Sequence, residues 1–540
     1  MNIPREQSAC ASDALRAEAS ALGLEVVESA EGLALAPELA ARIPSDWAHP
    51  RLLVPVLREG AACLLSAHPR AIEDQLQASQ LAGVPLPVVV APEALVLDLL
   101  GRTYAAGASV AASSLLDEIT SEGASDGPRA GAGPQGGDLL EAASAAPVTR
   151  LVNLLLLEAV RQGASDIHFE PFEDRLCVRY RVDGVLRRAA TPPKHLELAL
   201  VSRLKVMAGM DIAERRLPQD GVAQARVGGR PLDIRVSVVP VADGERVVLR
   251  LLNRADACLP LRSLGMDEAT LESFQRLLRA PNGMVVVSGP TGSGKTTTLY
   301  SALGGLDAAR RNILTIEDPV EYRLPDIGQI QVKPKIGLTF ANGLRHILRQ
   351  DPDVVLVGET RDAETAGIAV RAALTGHLVF TTLHTNDAPS AVMRLVDMGV
   401  QPYLVASCLR GVLGQRLVRR LCAQCREACA WADIAAACAS PDLARILEAR
   451  QAADPSPATL FRAGAGCATC REGYSGRTGV YELMAFSPAL REAIRPGNVA
   501  ADALRRVALS EGMRTMADDA AGKILAGVTD VAEASSALAG

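Results

Sequence analysis

Residues Gly289-Pro-Thr-Gly-Ser-Gly-Lys-Thr296 decide the fold of the chain, because they follow the pattern G-x-x-x-x-G-K-T of a phosphate-binding loop. The apolar run 284–288 before them is typical of a buried strand, and residues from Thr297 onward can open a helix. The loop therefore has the strand–loop–helix context that the pattern requires. The alternative is a glycine turn followed by a surface lysine. The predicted nucleotide contacts are Gly289, Pro290, Thr291, Gly292, Ser293, Gly294, Lys295 and Thr296.

The residue types in this loop suit a triphosphate. Glycine lets backbone N–H groups turn toward phosphate oxygens, and a helix N-terminus adds the positive end of its dipole. Lys295 would reach the β- and γ-phosphates, and the Thr296 hydroxyl would bind Mg²⁺. We therefore expect ATP and Mg²⁺ as cofactors.

Length and composition bound the remaining possibilities. The chain has 540 residues, which suggests about three to four domains. The net charge of −6 gives no overall attraction to nucleic acid. The beginning of the chain lacks the basic and apolar regions of a signal peptide, and no stretch reaches about 18 uninterrupted apolar residues. We expect a cytoplasmic protein whose membrane association is indirect, through a partner.

Shifts in composition divide the chain into segments. Residues 121–137 are rich in Gly, Ala, Ser, Asp and Pro and cannot bury enough apolar surface to fold, so we expect a flexible linker there. The predicted segments are an N-terminal docking domain (1–105), a linker region (106–145), an α+β module (146–252), an α/β nucleotide domain (253–419), a cysteine-rich subdomain (420–482) and a helical C-terminal region (483–540).

Charged residues follow several predicted strands. In the nucleotide domain, Glu317 and Glu359 end two apolar runs; because ligands bind at the carboxyl ends of parallel strands, these acids would lie beside the phosphates. Arg345, Arg349 and Arg361 could stabilise a phosphoryl transition state. Helix caps and salt bridges are the alternatives. In the α+β module, Arg235 and Arg250 lie on strands, and their residue pattern alone favours solvated strand faces.

Two C-x-x-C pairs predict a metal centre. Cys422 and Cys425 form the first pair, and Cys467 and Cys470 form the second. Two such pairs in a cytosolic chain are typical of a tetrahedral Cys₄ zinc site, although the segment between them is longer than in a compact zinc ribbon. Reduced thiols without metal are the alternative, and Cys429 is a nearby spare thiol that could compete as a ligand.

Several motifs in order resemble the secretion ATPases of type II secretion and type IV pilus systems, over about residues 138–530. They are 163–170 (GASDIHFE), 316–321 (IEDPVE), 349–362 (RQDPDVVLVGETRD), 375–387 (TGHLVFTTLHTND), the Cys₄ pattern and 476–479 (GRTG). The second resembles the acidic motif of that family, the third its Walker B segment, and the fourth its histidine motif. The fold that the resemblance implies is a RecA-like P-loop NTPase core with a preceding α+β module, a zinc subdomain, a helical C-terminal part and a small N-terminal docking domain.

The resemblance also implies roles for single residues. Glu359 would be the catalytic glutamate, with Lys295, Glu317 and Glu321 as further catalytic residues. ATP would lie between the RecA-like domain and the α+β module. Residues carried over as nucleotide contacts are Arg235, Arg250, Arg345, Arg349, Arg361, His377 and His384. Val222 departs from the family pattern, because arginine usually stands there.

The implied assembly is a homohexameric motor on the inner face of the bacterial inner membrane. Its N-terminal domain would bind membrane-embedded platform proteins of the secretion machinery. ATP hydrolysis would drive pseudopilus assembly and protein export through a type II secretion system; pilus assembly is the alternative function. A nucleic-acid motor is a further alternative, but the acidic balance and the lack of a basic, aromatic groove argue against it.

Overall fold

The computed structural model describes residues 15–103 with short gaps, 147–227, 230–253, 259–431, 437–453, 459–467, 470, 472–494 and 500–539. The predicted linker, 121–137, lies outside these residues. The chain divides into two compact units, Met1–Arg254 and Ala255–Gly540. Within the described residues, every helix is too short or too polar to span a lipid bilayer.

The first unit begins with a small mixed sheet. Its described strands are β1 (Glu25–Val26), β2 (Leu33–Leu35), β3 (Leu53–Arg58), β4 (Ala61–Ser66) and β5 (Val88–Val90), in the order β1-β5-β4-β3-β2, and its helices are α1 (Pro37–Ala40) and α2 (Ile72–Ala82). The turn between β3 and β4 is Glu59-Gly60, and both residues have positive φ, as a two-residue hairpin turn requires. Leu53, Val54 and Leu65 are completely buried, so this part has its own core.

The remainder of the first unit is an antiparallel sheet covered by helices on one face. Its elements are α3 (Pro147–Arg161), β6 (Ala164–Pro171), β7 (Leu176–Val182), β8 (Val185–Ala190), α4 (Glu197–Met207), β9 (Gln219–Val227), β10 (Arg230–Val241) and β11 (Gly244–Asn253), with sheet order β8-β7-β6-β11-β10-β9. Alternate residues of each strand, such as Ile234 and Leu249, enter a core with the helices. Arg235 and Arg250, which alternate with them, are direct cross-strand neighbours on the other face.

The second unit is built around a mostly parallel sheet. Its strands are β12 (Gly283–Ser288), β13 (Ile313–Glu317), β14 (Gly328–Gln331), β15 (Val354–Val357), β16 (Leu378–Leu383), β17 (Leu409–Leu421), β18 (Glu427–Cys429), β19 (Leu460–Arg462) and β20 (Tyr474–Ala485). The main sheet has the order β14-β13-β15-β16-β12-β17-β20, in which only the β17–β20 pair is antiparallel. Strands β18 and β19 form a separate antiparallel pair.

Helices cover both faces of the main sheet. They are α5 (Glu268–Leu278), α6 (Lys295–Gly304), α7 (Phe340–Ile347), α8 (Ala363–Leu374), α9 (Ala388–Asp397), α10 (Pro402–Cys408), α11 (Pro441–Ala453), α12 (Pro488–Ile494), α13 (Ala501–Ser510), α14 (Met516–Leu525) and α15 (Val531–Ala539). In β12, Met284 and Val286 enter one core while Val285 and Val287 enter another. The strand is therefore buried on both faces, which explains its continuous apolar sequence and confirms the predicted α/β class.

Candidate nucleotide-binding site and metal centre

The glycine loop joins β12 to α6 and is conformationally demanding. Gly289, Gly292 and Gly294 have φ values of 153°, 80° and 85°, a region that side chains with a Cβ rarely adopt. A Cβ at position 289 would come within 2.4 Å of the Gln415 carbonyl oxygen. The helix begins directly after the loop, at Lys295. Its N-terminal amides and dipole therefore face the space enclosed by the loop, which suits an anion.

The Lys295 side chain lies within this loop. Its Nζ donates to the backbone oxygens of Gly289 (2.7 Å) and Pro290 (2.8 Å). Burial lowers the pKa of Lys295 to about 8, and the Glu359 carboxylate opposes that shift. Thr296, the next residue, is exposed. The Lys295 ammonium and the Thr296 hydroxyl thus both lie at the start of α6.

Glu359 lies just beyond the end of β15 and contacts two basic side chains. One carboxylate oxygen is 2.6 Å from the Arg361 guanidinium, and the other is 3.7 Å from His384 Nε2. The Glu359 side chain is only 13% exposed. Burial and the nearby Lys295 charge lower the pKa of His384, although Glu359 opposes them. The structure thus brings Lys295, Glu359, Arg361 and His384 together at the carboxyl edge of the sheet.

Glu317 lies on β13 but is enclosed in a buried network. Its Oε1 accepts hydrogen bonds from Thr315 Oγ1 (2.6 Å) and Gln329 Nε2 (3.1 Å), and the Tyr300 hydroxyl donates to its Oε2. The residue is 4% exposed. The Tyr300 oxygen also accepts from the backbone N–H of Glu321 (3.2 Å). These contacts fix the orientation of the Glu317 carboxylate, and the catalytic roles predicted for Glu317 and Glu321 stay predictions.

The predicted arginines of the second unit lie on exposed surface. Arg345, on α7, forms an ion pair with Glu364 and donates to Asn342 Oδ1 (3.1 Å). Arg349 follows the end of that helix and is exposed. Arg361 is 69% exposed. Among the ion pairs of the described residues, it is the one arginine of these three that pairs with Glu359. Their predicted contacts with phosphate stay predictions.

Three other predicted residues lie elsewhere. His377 precedes β16, and its Nδ1 is 2.9 Å from the Ala372 oxygen. Since β16 rises by about 3.3 Å per residue, His377 is about 20 Å from the glycine-loop edge of the sheet, too far to reach a nucleotide on its own chain's loop. Arg250 pairs with Asp166 at 3.0 Å in the first unit, where Arg235 is its cross-strand neighbour; phosphate binding by these two arginines stays a prediction.

Gln415 supports the glycine loop and was not found from the sequence. Its Nε2 donates to the Ser293 oxygen (2.6 Å), and its Oε1 accepts from Thr298 Oγ1 (2.8 Å). The side chain is fully enclosed, so both amide atoms are satisfied inside the protein. The one available signal was a polar amide directly after the apolar stretch 411–414 of β17. Because Gln415 is more than 100 residues from its partners, no local pattern could have identified them.

The four predicted metal ligands meet in one place. The Sγ atoms of Cys422, Cys425, Cys467 and Cys470 all lie within 4.8 Å of one another. The Cys422–Cys467 separation is 3.7 Å and the Cys425–Cys470 separation is 3.3 Å. Four thiolates on a tetrahedral zinc ion, each bond being about 2.3 Å, would be about 3.8 Å apart. The cluster therefore fits the predicted zinc ion in both donor chemistry and spacing.

The other nearby cysteines lie outside this group. Cys429 and Cys438 pack against an apolar core that includes Leu443, Leu447 and Ile524. Cys429 belongs to β18, where it pairs with Leu460. The structure thus places these two thiols in packing roles. Zinc in the Cys₄ cluster would supply structural cross-linking, since it would join two segments 45 residues apart.

Comparison with known proteins identifies the family. Residues 141–536 match the model of the family described as type II/IV secretion system protein. The type II secretion system protein HxcR of Pseudomonas aeruginosa is 52% identical over 403 residues, which are 74% of this chain and 79% of that protein. The type II secretion system ATPase E of Vibrio cholerae is 49% identical over 401 residues, which are 74% of this chain and 77% of that protein.

A solved structure shares the fold. The ATPase DotB of Legionella pneumophila aligns with a TM-score of 0.53 at 22% sequence identity, over 72% of this chain and 95% of that chain. The matched family segment contains the glycine loop, the acidic edge of the sheet and the Cys₄ cluster. This chain belongs to the type II/IV secretion system protein family.

Proposed function

We propose that this chain is the ATPase of a type II secretion system, and that ATP hydrolysis drives pseudopilus assembly and protein export. The observation that carries the proposal is the meeting of Lys295 and Glu359 beside the glycine loop. One group can bind phosphate and the other can act on water. The type II secretion names of HxcR and of the Vibrio cholerae ATPase support that system over pilus assembly.

The chemistry assigns a separate task to each side chain. The Lys295 ammonium would leave its loop carbonyls and bind the β- and γ-phosphate oxygens. Glu359 would orient the attacking water and accept its proton, while Arg361 and His384 hold the carboxylate. The exposed Thr296 hydroxyl would hold Mg²⁺, which neutralises phosphate charge when bound. Arg235, Arg250, Arg345 and Arg349 remain proposed phosphate contacts.

The assembly is proposed on the family resemblance. We propose a homohexamer on the inner face of the bacterial inner membrane. The N-terminal domain would hold it there by binding platform proteins, and nucleic acid would have no part in the activity. The Cys₄ cluster would bind zinc for structural support.

The function is tested by measuring phosphate release from ATP by the purified chain and its variants. Lys295→Ala should abolish turnover and secretion. Glu359→Gln should keep nucleotide binding but lower turnover by about 10² or more, as expected for a lost catalytic base. Glu268→Gln is a matched control, because Glu268 is 65% exposed and far along the chain from the acidic motifs. Parent-like turnover by Glu359→Gln would move the base to another acid, and retained turnover by Lys295→Ala would contradict the proposal.

A further inference from the structure

A short loop connects the candidate catalytic edge with the C-terminal helices. His384, whose Nε2 is 3.7 Å from a Glu359 oxygen, directly follows the last residue of β16, and Asp387 caps helix α9 only three residues later. Asp387 Oδ1 accepts the Ser390 backbone N–H at 2.7 Å. Two intervening residues can span only about 10 Å, so the position of Asp387 limits where His384 can lie.

Asp387 is held by a second element. Its Oδ2 accepts a hydrogen bond from Arg505 Nη2 at 2.5 Å, and Arg505 lies on α13. Arg416, on β17, is 7% exposed; burial lowers its pKa and the Asp387 carboxylate opposes the shift. The Asp387 carboxylate therefore offsets the charge of Arg416 in the sheet and also binds Arg505 of the C-terminal helices.

Glu482 fixes the start of the same helix from the other side. This residue of β20 is 2% exposed, and its Oε1 accepts the Ala388 backbone N–H at 3.0 Å. The backbone N–H of Met516, the first residue of α14, also donates to this carboxylate. Burial raises the pKa of Glu482, and the backbone N–H groups at the starts of α9 and α14 oppose that shift. The first turn of α9 is thus joined to β20 and to two C-terminal helices.

Resting on the ATPase function proposed above, we infer that Asp387 and Arg505 are positioning residues that hold His384 against Glu359 and make ATP turnover depend on the docking of α13. Neither residue touches the glycine loop in the described contacts. Their loss should therefore disturb the geometry of the chemical step more than the binding of ATP. Movement of the C-terminal helices would change turnover through the same connection.

The test compares kcat with KM for ATP in full-length variants. Arg505→Gln should lower kcat by about 10-fold or more, since small displacements of catalytic groups have effects of this size, while KM changes by less than about 2-fold. Arg505→Lys should restore part of the rate. Arg506→Gln is the matched control, because Arg506 is the exposed neighbour on α13 and should behave as the parent.

A double variant separates positioning from general destabilisation. Asp387→Asn combined with Arg505→Gln should be no slower than the slower single variant, because both changes remove the Asp387–Arg505 interaction and only Asp387→Asn also removes the charge that balances Arg416. Should Asp387→Asn unfold through loss of the charge that balances Arg416, the Arg505 variants decide, since they leave that carboxylate in place. Folded Arg505→Gln protein with parent kcat, or with a raised KM alone, would overturn the inference. A parent chain without ATPase activity would instead overturn the proposed function on which it rests.

Discussion

Lys295 is the side chain whose charge state would decide the proposed phosphate binding. Burial makes its ammonium form less favourable than in water and lowers its pKa to about 8 in the free protein. A bound triphosphate brings negative charge to the same place and favours the ammonium form again. The charge that binds ATP is therefore lost from the free protein at a lower pH than from the complex.

This difference predicts a pH dependence. Above about pH 8 the free protein loses the Lys295 proton, so kcat/KM for ATP should fall as pH rises through that value, because kcat/KM reports the free enzyme. The profile of kcat should fall only at higher pH. Steady-state rates from about pH 7 to about pH 9.5 measure both profiles. In Lys295→Arg, the kcat/KM of any residual activity should not fall near pH 8, since arginine stays charged. A decrease of kcat/KM that persists in this variant would show that another group causes it.

Gln415 offers a second prediction at a single side chain. Gln415→Ala removes the two hydrogen bonds that Gln415 makes with the Ser293 carbonyl and the Thr298 hydroxyl. Alanine cannot replace either of them. At about 1 kcal/mol or more for each bond, the loop should become less ordered and KM for ATP should rise about 10-fold. Gln451→Ala is the control amide, because Gln451 is an exposed residue of α11. An unchanged KM in folded Gln415→Ala would show that the loop keeps its shape without this support.

Single residues also show which features of the site can be predicted from local sequence. The glycine pattern and the acid after β15 were predictable, because each belongs to a short contiguous motif. The enclosure of Glu317 by Tyr300 and Gln329 was not, since those partners come from a helix and another strand. His377 and His384 share one motif, yet the length of β16 separates them across the sheet. A motif thus identifies its residues without fixing which end of a strand each one occupies.

Among the secondary-structure elements, the strands were predictable where burial is complete. The run Met284–Ser288 was predicted as a strand, and β12 spans Gly283–Ser288. Apolar residues on both faces leave one interpretation of such a run, a central parallel strand. The pairing of β17 with β20 was not predictable, because the intervening cysteine-rich segment hides their relation. Sheet order depends on contacts that only the folded chain makes.

The cysteine-rich segment yields a prediction about metal content. The purified protein should contain one zinc per chain, held by the four thiolates described above. Cys467→Ser should lose zinc and lower thermal stability, because a structural site contributes directly to folding. Cys429→Ser should keep the metal, since Cys429 packs in β18. Elemental analysis together with thiol titration checks both, and zinc-free protein with all four cluster thiols titratable would end the assignment.

At the scale of the whole molecule, the family match divides the first compact unit into two parts. The family match begins at residue 141, just before α3, so it includes the antiparallel sheet of the first unit but not the small mixed sheet. That small sheet packs on a core of its own residues. The module after it packs on a separate core drawn from residues 148–251. Each core is therefore complete without the other.

This separation leads to a prediction for truncated protein. Deleting residues 1–137 should leave a folded chain with basal ATPase activity that fails to reach the membrane and fails to support secretion, because the proposed docking domain is lost. The predicted linker, outside the described residues, would have a reach of about 20–25 Å for its 17 residues, enough to keep the docked domain attached while the ATPase moves.

Cell fractionation, secretion assays and ATPase rates of the purified truncation measure these outcomes, with a chain lacking only 121–137 as the matched control for linker loss. That control keeps the small sheet and should still reach the membrane, although its shorter tether should reduce secretion. If the 1–137 truncation stayed membrane-bound in cells that contain the platform proteins, a surface outside the N-terminal domain would bind those proteins. If the N-terminal domain instead stabilised the hexamer, the truncation would lose basal activity in solution, where no membrane is present.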